Sequence, residues 1–516
     1  MDEGHSTTLI MGGELLGKPI GDSTISLLDI NMDGTGPFEK PVPNPSISHE
    51  TEETEETDDD GRPKRRGTVW TASATVIASM LGSGLLALPW SIAQMGWIAG
   101  PLVLWSIAVS TSFTSLLLAD TYRFKDPVLG KRLYTYVNAV NSYLGSFPGK
   151  ICAWTQNAAF IGCGISYIIT ASNSMVALRR SQCILGNIQG KLECKYLSPT
   201  LYIGIFGLME IFFSQIRDFG QVWWISIISI SMSICYSLIS IGFACAIAIG
   251  NKQSHGNLTG IPIGRGPGEV ALERKIWSIL SALGNMAFAY DFNQMIPFIQ
   301  DTLKNPPAEN KTMKKATLIG VSCATFIYTV ASCVGYAAFG NNTPGDFLSS
   351  LSGYKPAWLV DIGNLCVIIQ LSAGYQIFTQ PFFAIFETWA MKRWPRSQIF
   401  QANHTIQLPF WGACSCNIFR LTWRTAYVCL QTFIAMLIPF FNDVVGLLGA
   451  ICFWPLAIYL PVEMYIKQAS IATLTGHWWS LQFFSCLTLF LSIGAAAGSV
   501  EGLIRHGRHG GKPFKL

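Results

Sequence analysis

Two apolar stretches of the chain hold residues that would weaken a membrane helix. Gly82-Ser83-Gly84 lies within Thr71 to Trp90, and Tyr290-Asp291-Phe292-Asn293-Gln294 lies within Leu283 to Pro297. Glycine and proline interrupt a helix, and an interruption in lipid is tolerated only where protein, a cavity or a ligand completes the backbone hydrogen bonding. The amides that open the half-helix after Gly82 and Gly84 attract an anion such as the carboxylate of a small zwitterion; the alternative is close packing of small residues against another helix. An acidic side chain at membrane depth needs a polar cavity and a partner. Asp291 therefore reads as the holder of a coupling proton, an attractor of an amino group, or a filter for a cationic side chain. The plainer alternative is a solvated helix end near the cytoplasmic boundary. Tyr290 either closes a pocket or packs.

Other polar residues lie inside apolar stretches: Asn157, Glu210, Gln370, Ser372 and Tyr375, and Asn442 with Asp443. Asn157 reads as a pocket or structural hydrogen-bonding residue, and Glu210 and Asp443 as interface markers. Ser372 lies on the span that in inverted-repeat carriers helps form an ion site against the first helix; a helical serine otherwise bonds its own backbone.

The surrounding chain must position these residues in a bilayer. Of 516 residues, 50% are apolar and 13% charged, with a net charge of +4. A soluble protein carries about 25% charge. Residues 1–66 are rich in Gly, Pro, Ser, Thr and acid, with a run from Glu50 to Asp60, and read as a disordered cytosolic tail whose protein partner is unknown. Beyond it the apolar stretches make about eleven spans, those at 199–214 and 425–440 being short. Arg62, Lys64, Arg65 and Arg66 anchor the start of the first span on the cytoplasmic side, and basic residues are commoner in the connections this orientation places inside.

The expected organisation is thus a first five-helix repeat over 67–250, a second over 251–466, and an eleventh helix with a short extracellular C-terminus over 467–516. Asn257 is the better glycosylation candidate of the outer sequons. Of the fourteen cysteines, Cys183 and Cys194 fall in an outer polar connection and are a disulfide candidate; many of the others, such as Cys152, Cys163, Cys235, Cys245 and Cys366, lie inside apolar runs and read as small buried hydrophobes.

Gly82-Ser83-Gly84-Leu85-Leu86, Ile92 to Pro101, Gln300-Asp301-Thr302-Leu303 with Pro306 to Lys315, Pro439 to Ala450, and Pro461 to Tyr465 together resemble the plant amino acid permeases of the amino acid/auxin permease family. The resemblance covers nearly everything after the acidic tail. It implies an all-α polytopic membrane protein, a LeuT-like inverted five-helix repeat, that moves amino acids inward with protons across the plasma membrane. By that analogy Gly82, Ser83 and Gly84 meet the substrate carboxylate, while Ala289, Tyr290, Asp291 and Phe292 meet the amino group and side chain, with Asn157 a further binding candidate. Two positions depart from the family pattern: Asp291 stands where Ser is usual, and Asn285 where Asp is usual.

The expected mechanism is alternating access, with interrupted helices at corresponding positions of the two halves forming the site. No nucleophile, metal set, cofactor motif or nucleic-acid patch points to an enzyme or to a nucleic-acid partner. The competing expectations are a carrier for another small carboxylate, such as auxin or a proline-like solute, and a non-transporting membrane nutrient sensor signalling through the tail.

Overall fold

The computed structural model describes residues 58, 64–188, 198–216, 223–250, 256–264, 266, 269–351, 354–394, 403–408 and 412–508. Most of the expected acidic tail, Cys194, and several basic residues used to orient the spans, Arg217 and Lys252 among them, lie outside them.

Helix α1, Val69–Met80, starts with a reciprocal cap: the Thr71 amide donates to Thr68 Oγ1 and the Thr68 amide to Thr71 Oγ1. It stops in mid-stretch, where the Gly82 amide turns back to the Met80 carbonyl at 2.7 Å. Helix α2, Gly84–Asp120, resumes after Ser83. Pro89 stays inside α2; the sharp change of direction is at Gly96, whose φ of 87° is left-handed. A Cβ there would also stand 2.2 Å from the Gly260 amide nitrogen, so this turn requires glycine on two counts. Parts of two expected spans thus form one continuous element bent at Gly96.

A short α3, Tyr136–Leu144, leads into α4, Ser146–Ile188; α5, Pro199–Ser214, and α6, Trp223–Gly250, follow. Helix α7, Leu272–Ala289, ends at Tyr290, and after a turn at Asn293–Met295 the chain resumes as α8, Ile296–Gln300. Then come α9, Glu309–Phe339, and α10, Ala357–Arg393. The all-α expectation needs one addition, an antiparallel hairpin of β1, Asn403–Leu408, and β2, Gly412–Asn417. Helix α11, Ile418–Leu437, begins well before the span expected at 425–440, because Arg424 is accommodated inside it by Glu387 Oε1 and the Ser214 carbonyl, both at 2.8 Å. Helix α12, Phe441–Cys452, passes through a π-helical turn, Phe453–Tyr459, into α13, Leu460–Gln468, and α14 is Gly476–Arg508.

Among the described residues seven helices are long and apolar enough to cross a membrane, with α1 and α5 as shorter apolar helices. The further expected spans fall in pieces for visible reasons: the first and sixth are interrupted, and the one at 425–440 carries charge at its start. Large apolar side chains such as Trp105, Val109, Phe483 and Phe490 point outward, as a lipid solvent requires. Helices α7 and α12 touch backbone to backbone: a Cβ on Gly284 would lie 2.2 Å from the Gly446 carbonyl oxygen.

At the end of the molecule where α2 stops and α9 starts, charges close over the helices. Glu309 receives Arg123 at 2.7 Å and Arg132 at 2.6 Å, all three buried. Arg65 joins Asp58 to Asp301, and Gly67 pairs with the strand-like backbone at Thr302 and Lys304. Replacing Glu309 with Gln leaves two buried guanidiniums facing a neutral amide. A loss of about 3–5 kcal/mol is expected, read as a lower melting temperature of the purified protein in detergent.

Candidate functional site

The two interrupted helices meet at their breaks. A Cβ on Gly84 would lie 2.9 Å from Ala289 Cα, so the first amide of α2 and the last turn of α7 share one contact. Where α1 stops, the carbonyls of Met80, Leu81 and Gly82 lose their helical partners, as all helix C-termini do. Neighbouring helices supply donors. Tyr328 of α9 donates to the Met80 carbonyl at 2.5 Å and lies 3.1 Å from that of Ala289, so one hydroxyl joins both breaks. Ser233 of α6 and Gln370 of α10 each donate to the Leu81 carbonyl at 3.0 Å, and Tyr236 donates to that of Gly82 at 3.2 Å. Ser83 Oγ meets Ser166 Oγ of α4 at 3.0 Å, and the Tyr167 ring lies against Gly82.

The break in the sixth span is polar and only partly satisfied. The Asp291 Oδ1 atom is buried and has no hydrogen-bond partner among the described residues, as are both polar side-chain atoms of Gln294. No cation contacts Asp291 among the described residues, and the residue as a whole is half-buried. Tyr290 is buried, donates to Thr325 Oγ1 at 3.1 Å and meets the Tyr328 ring edge-on. Phe292 is buried. Asn293 ties this turn to its surroundings through Ser115 at 2.5 Å and the Ala457 carbonyl at 3.0 Å, the latter within the π-helical turn.

The expected residues are therefore unequally placed. Gly82, Ser83, Gly84, Ala289, Tyr290, Asp291 and Phe292 line the two breaks. Asn157 does not join them: it lies two and a half turns, about 14 Å, from Ser166 along α4, on the opposite face, and its side chain makes no hydrogen bond among the described residues. Ser372 does not face the first helix but donates to Glu210 Oε1 at 2.5 Å; two residues earlier on α10, Gln370 makes the contact to Leu81. Glu210 and Asp443 are buried, and Asp443 meets His506 at 2.7 Å. Ser166, Tyr167, Ser233, Tyr236 and Tyr328 were not anticipated from the sequence. A signal for two of them was the polar row Ser229, Ser233, Tyr236, Ser237, Ser240 along one side of the mostly apolar α6. Asn257 is exposed, as an acceptor for a sugar must be. Cys183 is buried, and its candidate partner Cys194 lies outside the described residues.

Interrupted helices held side by side within a bundle define a transporter of the LeuT-like fold. Consistent with this, the structure aligns with MhsT, solved in complex with L-phenylalanine, over 84% of this chain and 99% of that one, with a TM-score of 0.53 and 10% identity. Residues 65–505 match the family described as transmembrane amino acid transporter protein, and the chain belongs to that family. It is 46% identical to amino acid permease 3 of Arabidopsis thaliana over 87% of this chain and 93% of that protein, and 46% identical to amino acid permease 6 of the same plant over 87% and 92%. It is accordingly a multi-pass membrane permease and not an enzyme.

Proposed function

We propose that the chain imports amino acids together with protons by alternating access. The substrate binds between the two breaks, and Asp291 couples its movement to a proton. The observation that carries this reading is the contact of Gly84 with Ala289, which brings two helix C-termini and the start of a third helix to one place. Carbonyl ends of α1 and α7 are electronegative and suit an ammonium group; the first amides of α2 are electropositive and suit a carboxylate. A zwitterion matches both. Asp291, half-buried beside them with its Oδ1 inside and no cation against it among the described residues, supplies the charge that a proton or a substrate amine neutralises. A proton carried inward gains about 2.3 kcal/mol per 100 mV of membrane potential.

In this reading the chain lies in the plasma membrane with eleven spans arranged as inverted repeats 67–250 and 251–466, the N-terminus in the cytosol and the C-terminus outside. The permeases it resembles by sequence support an amino acid as substrate. The test is competition against uptake of radiolabelled amino acids by expressing cells. Amino acids with both charged groups are expected to compete, whereas the corresponding amines and carboxylic acids, auxin included, are not. Competition by carboxylic acids alone would instead support a carrier for other small carboxylates.

A further inference from the structure

Glu210 is a fully buried carboxylate away from the breaks, and among the described residues no cation contacts it. Its two oxygens accept from neutral donors on α10, Ser372 Oγ at 2.5 Å and Gln376 Nε2 at 2.8 Å. Gln376 also approaches Ser214 Oγ at 3.3 Å and accepts from Gln380 at 3.1 Å. The polar track runs toward the end of the molecule where Arg424 binds the Ser214 carbonyl and Glu387. Glu210 is one helical turn, about 6 Å, from that end of α5. Beside it lies a cavity of about 240 Å³ walled by Met209, Phe213, Ile225, Ile368 and other apolar groups, with Ser372 and Gln376 on its surface. The titratable group nearest Glu210 on α10 is Tyr375, which in turn neighbours Tyr427 and Cys429 on α11, while Arg424 of α11 is held at the Ser214 end of α5.

We propose that Glu210 is a second protonation site of the carrier, neutral while the loaded protein moves and ionised for the empty protein to return. The reason is mechanical. Helix α10 holds the broken first span through Gln370 and the Leu81 carbonyl, and holds Glu210 through Ser372 and Gln376 on its next turns. Hydrogen bonds to an ionised carboxylate are roughly twice as strong as neutral ones. Ionised Glu210 therefore draws α10 toward α5 and favours the arrangement to which the empty protein returns, and one proton bound as a carboxylic acid weakens that hold and lets α10 shift with the first span in the loaded protein. This inference rests on the proton-coupled reading above.

The test uses the full chain purified into liposomes, with a radiolabelled mixture of protein amino acids as probe, and measures two fluxes. Net uptake is driven by an inward proton gradient; exchange is measured with equal pH and unlabelled amino acids inside. Glu210→Gln keeps the shape but holds the site neutral and replaces one accepting oxygen with a donor, as protonation does. It is expected to lower net uptake by about tenfold or more while exchange stays within about twofold, because exchange never requires the empty protein to return. Glu210→Asp is expected to restore net uptake. Glu210→Gln losing both fluxes together, or keeping both, would make Glu210 a structural residue and overturn the proposal. A wild-type protein that exchanges amino acids but shows no gradient-driven uptake would instead remove the proton-coupled reading itself.

Discussion

Gly84→Val is expected to abolish amino acid uptake by protein that still reaches the membrane. Even the first added carbon of that side chain would stand 2.9 Å from Ala289 Cα and 3.1 Å from Ala289 Cβ, both parts of a helix end and unable to swing away. The breaks would be forced apart, and Tyr328, which spans the Met80 and Ala289 carbonyls, would no longer reach both. Misplacement by an ångström is enough to cost about a hundredfold where geometry decides the rate. Gly82→Ala is the informative contrast. Its added carbon meets the Tyr167 hydroxyl at 3.1 Å, the far end of a side chain, and partial activity is expected. Radiolabelled uptake normalised to surface protein checks both; full activity in Gly84→Val would contradict the close contact of the two breaks.

Asp291→Asn is expected to reduce uptake about ten- to a hundredfold, the range that follows from one unmade charge-assisted hydrogen bond. The substitution is nearly isosteric, so it removes the titration and the charge and little else. The residual uptake is expected to rise less steeply on acidification, because an amide at 291 has no proton to gain and Glu210 alone of the two carboxylates still titrates. The measurement is uptake against external pH for the wild type and the variant. A variant with an unchanged pH profile would place the coupling proton elsewhere, and one with unchanged rate would make Asp291 a bystander.

The positions of the two interruptions were legible in the sequence because glycine, proline and an acidic residue within apolar stretches violate the local rules of a membrane helix. Their partners were harder to read. Ser166, Ser233 and Tyr328 are ordinary residues for an apolar helix, and only the packing of α4, α6 and α9 against the first break gives them carbonyls or hydroxyls to bond. Asn157 is the converse case: a polar residue on the same helix as Ser166 but half a turn out of phase with it, and without a hydrogen bond among the described residues. Ser372 and Gln370 differ by two residues, enough to send one to Glu210 and the other to Leu81. The span count was blurred wherever a helix is bent, broken or charged. At Gly96 a single left-handed residue turns the chain without ending the helix pattern, and at α11 a buried Arg424 lengthens a helix that hydropathy shortened. The Glu309 cluster was hidden because its arginines were assigned to cytoplasmic connections, where charge ordinarily means exposure to water.

The central claim, proton-coupled amino acid import through the paired breaks, is tested most directly by voltage clamp of cells expressing the protein in sodium-free medium. Neutral, acidic and basic amino acids are applied in turn at acidic and at neutral external pH. The expected result is an inward current evoked by one group of amino acids that grows when the medium is acidified. Protein demonstrated at the cell surface that gives no substrate-evoked current at either pH, or a current that requires sodium, would contradict it.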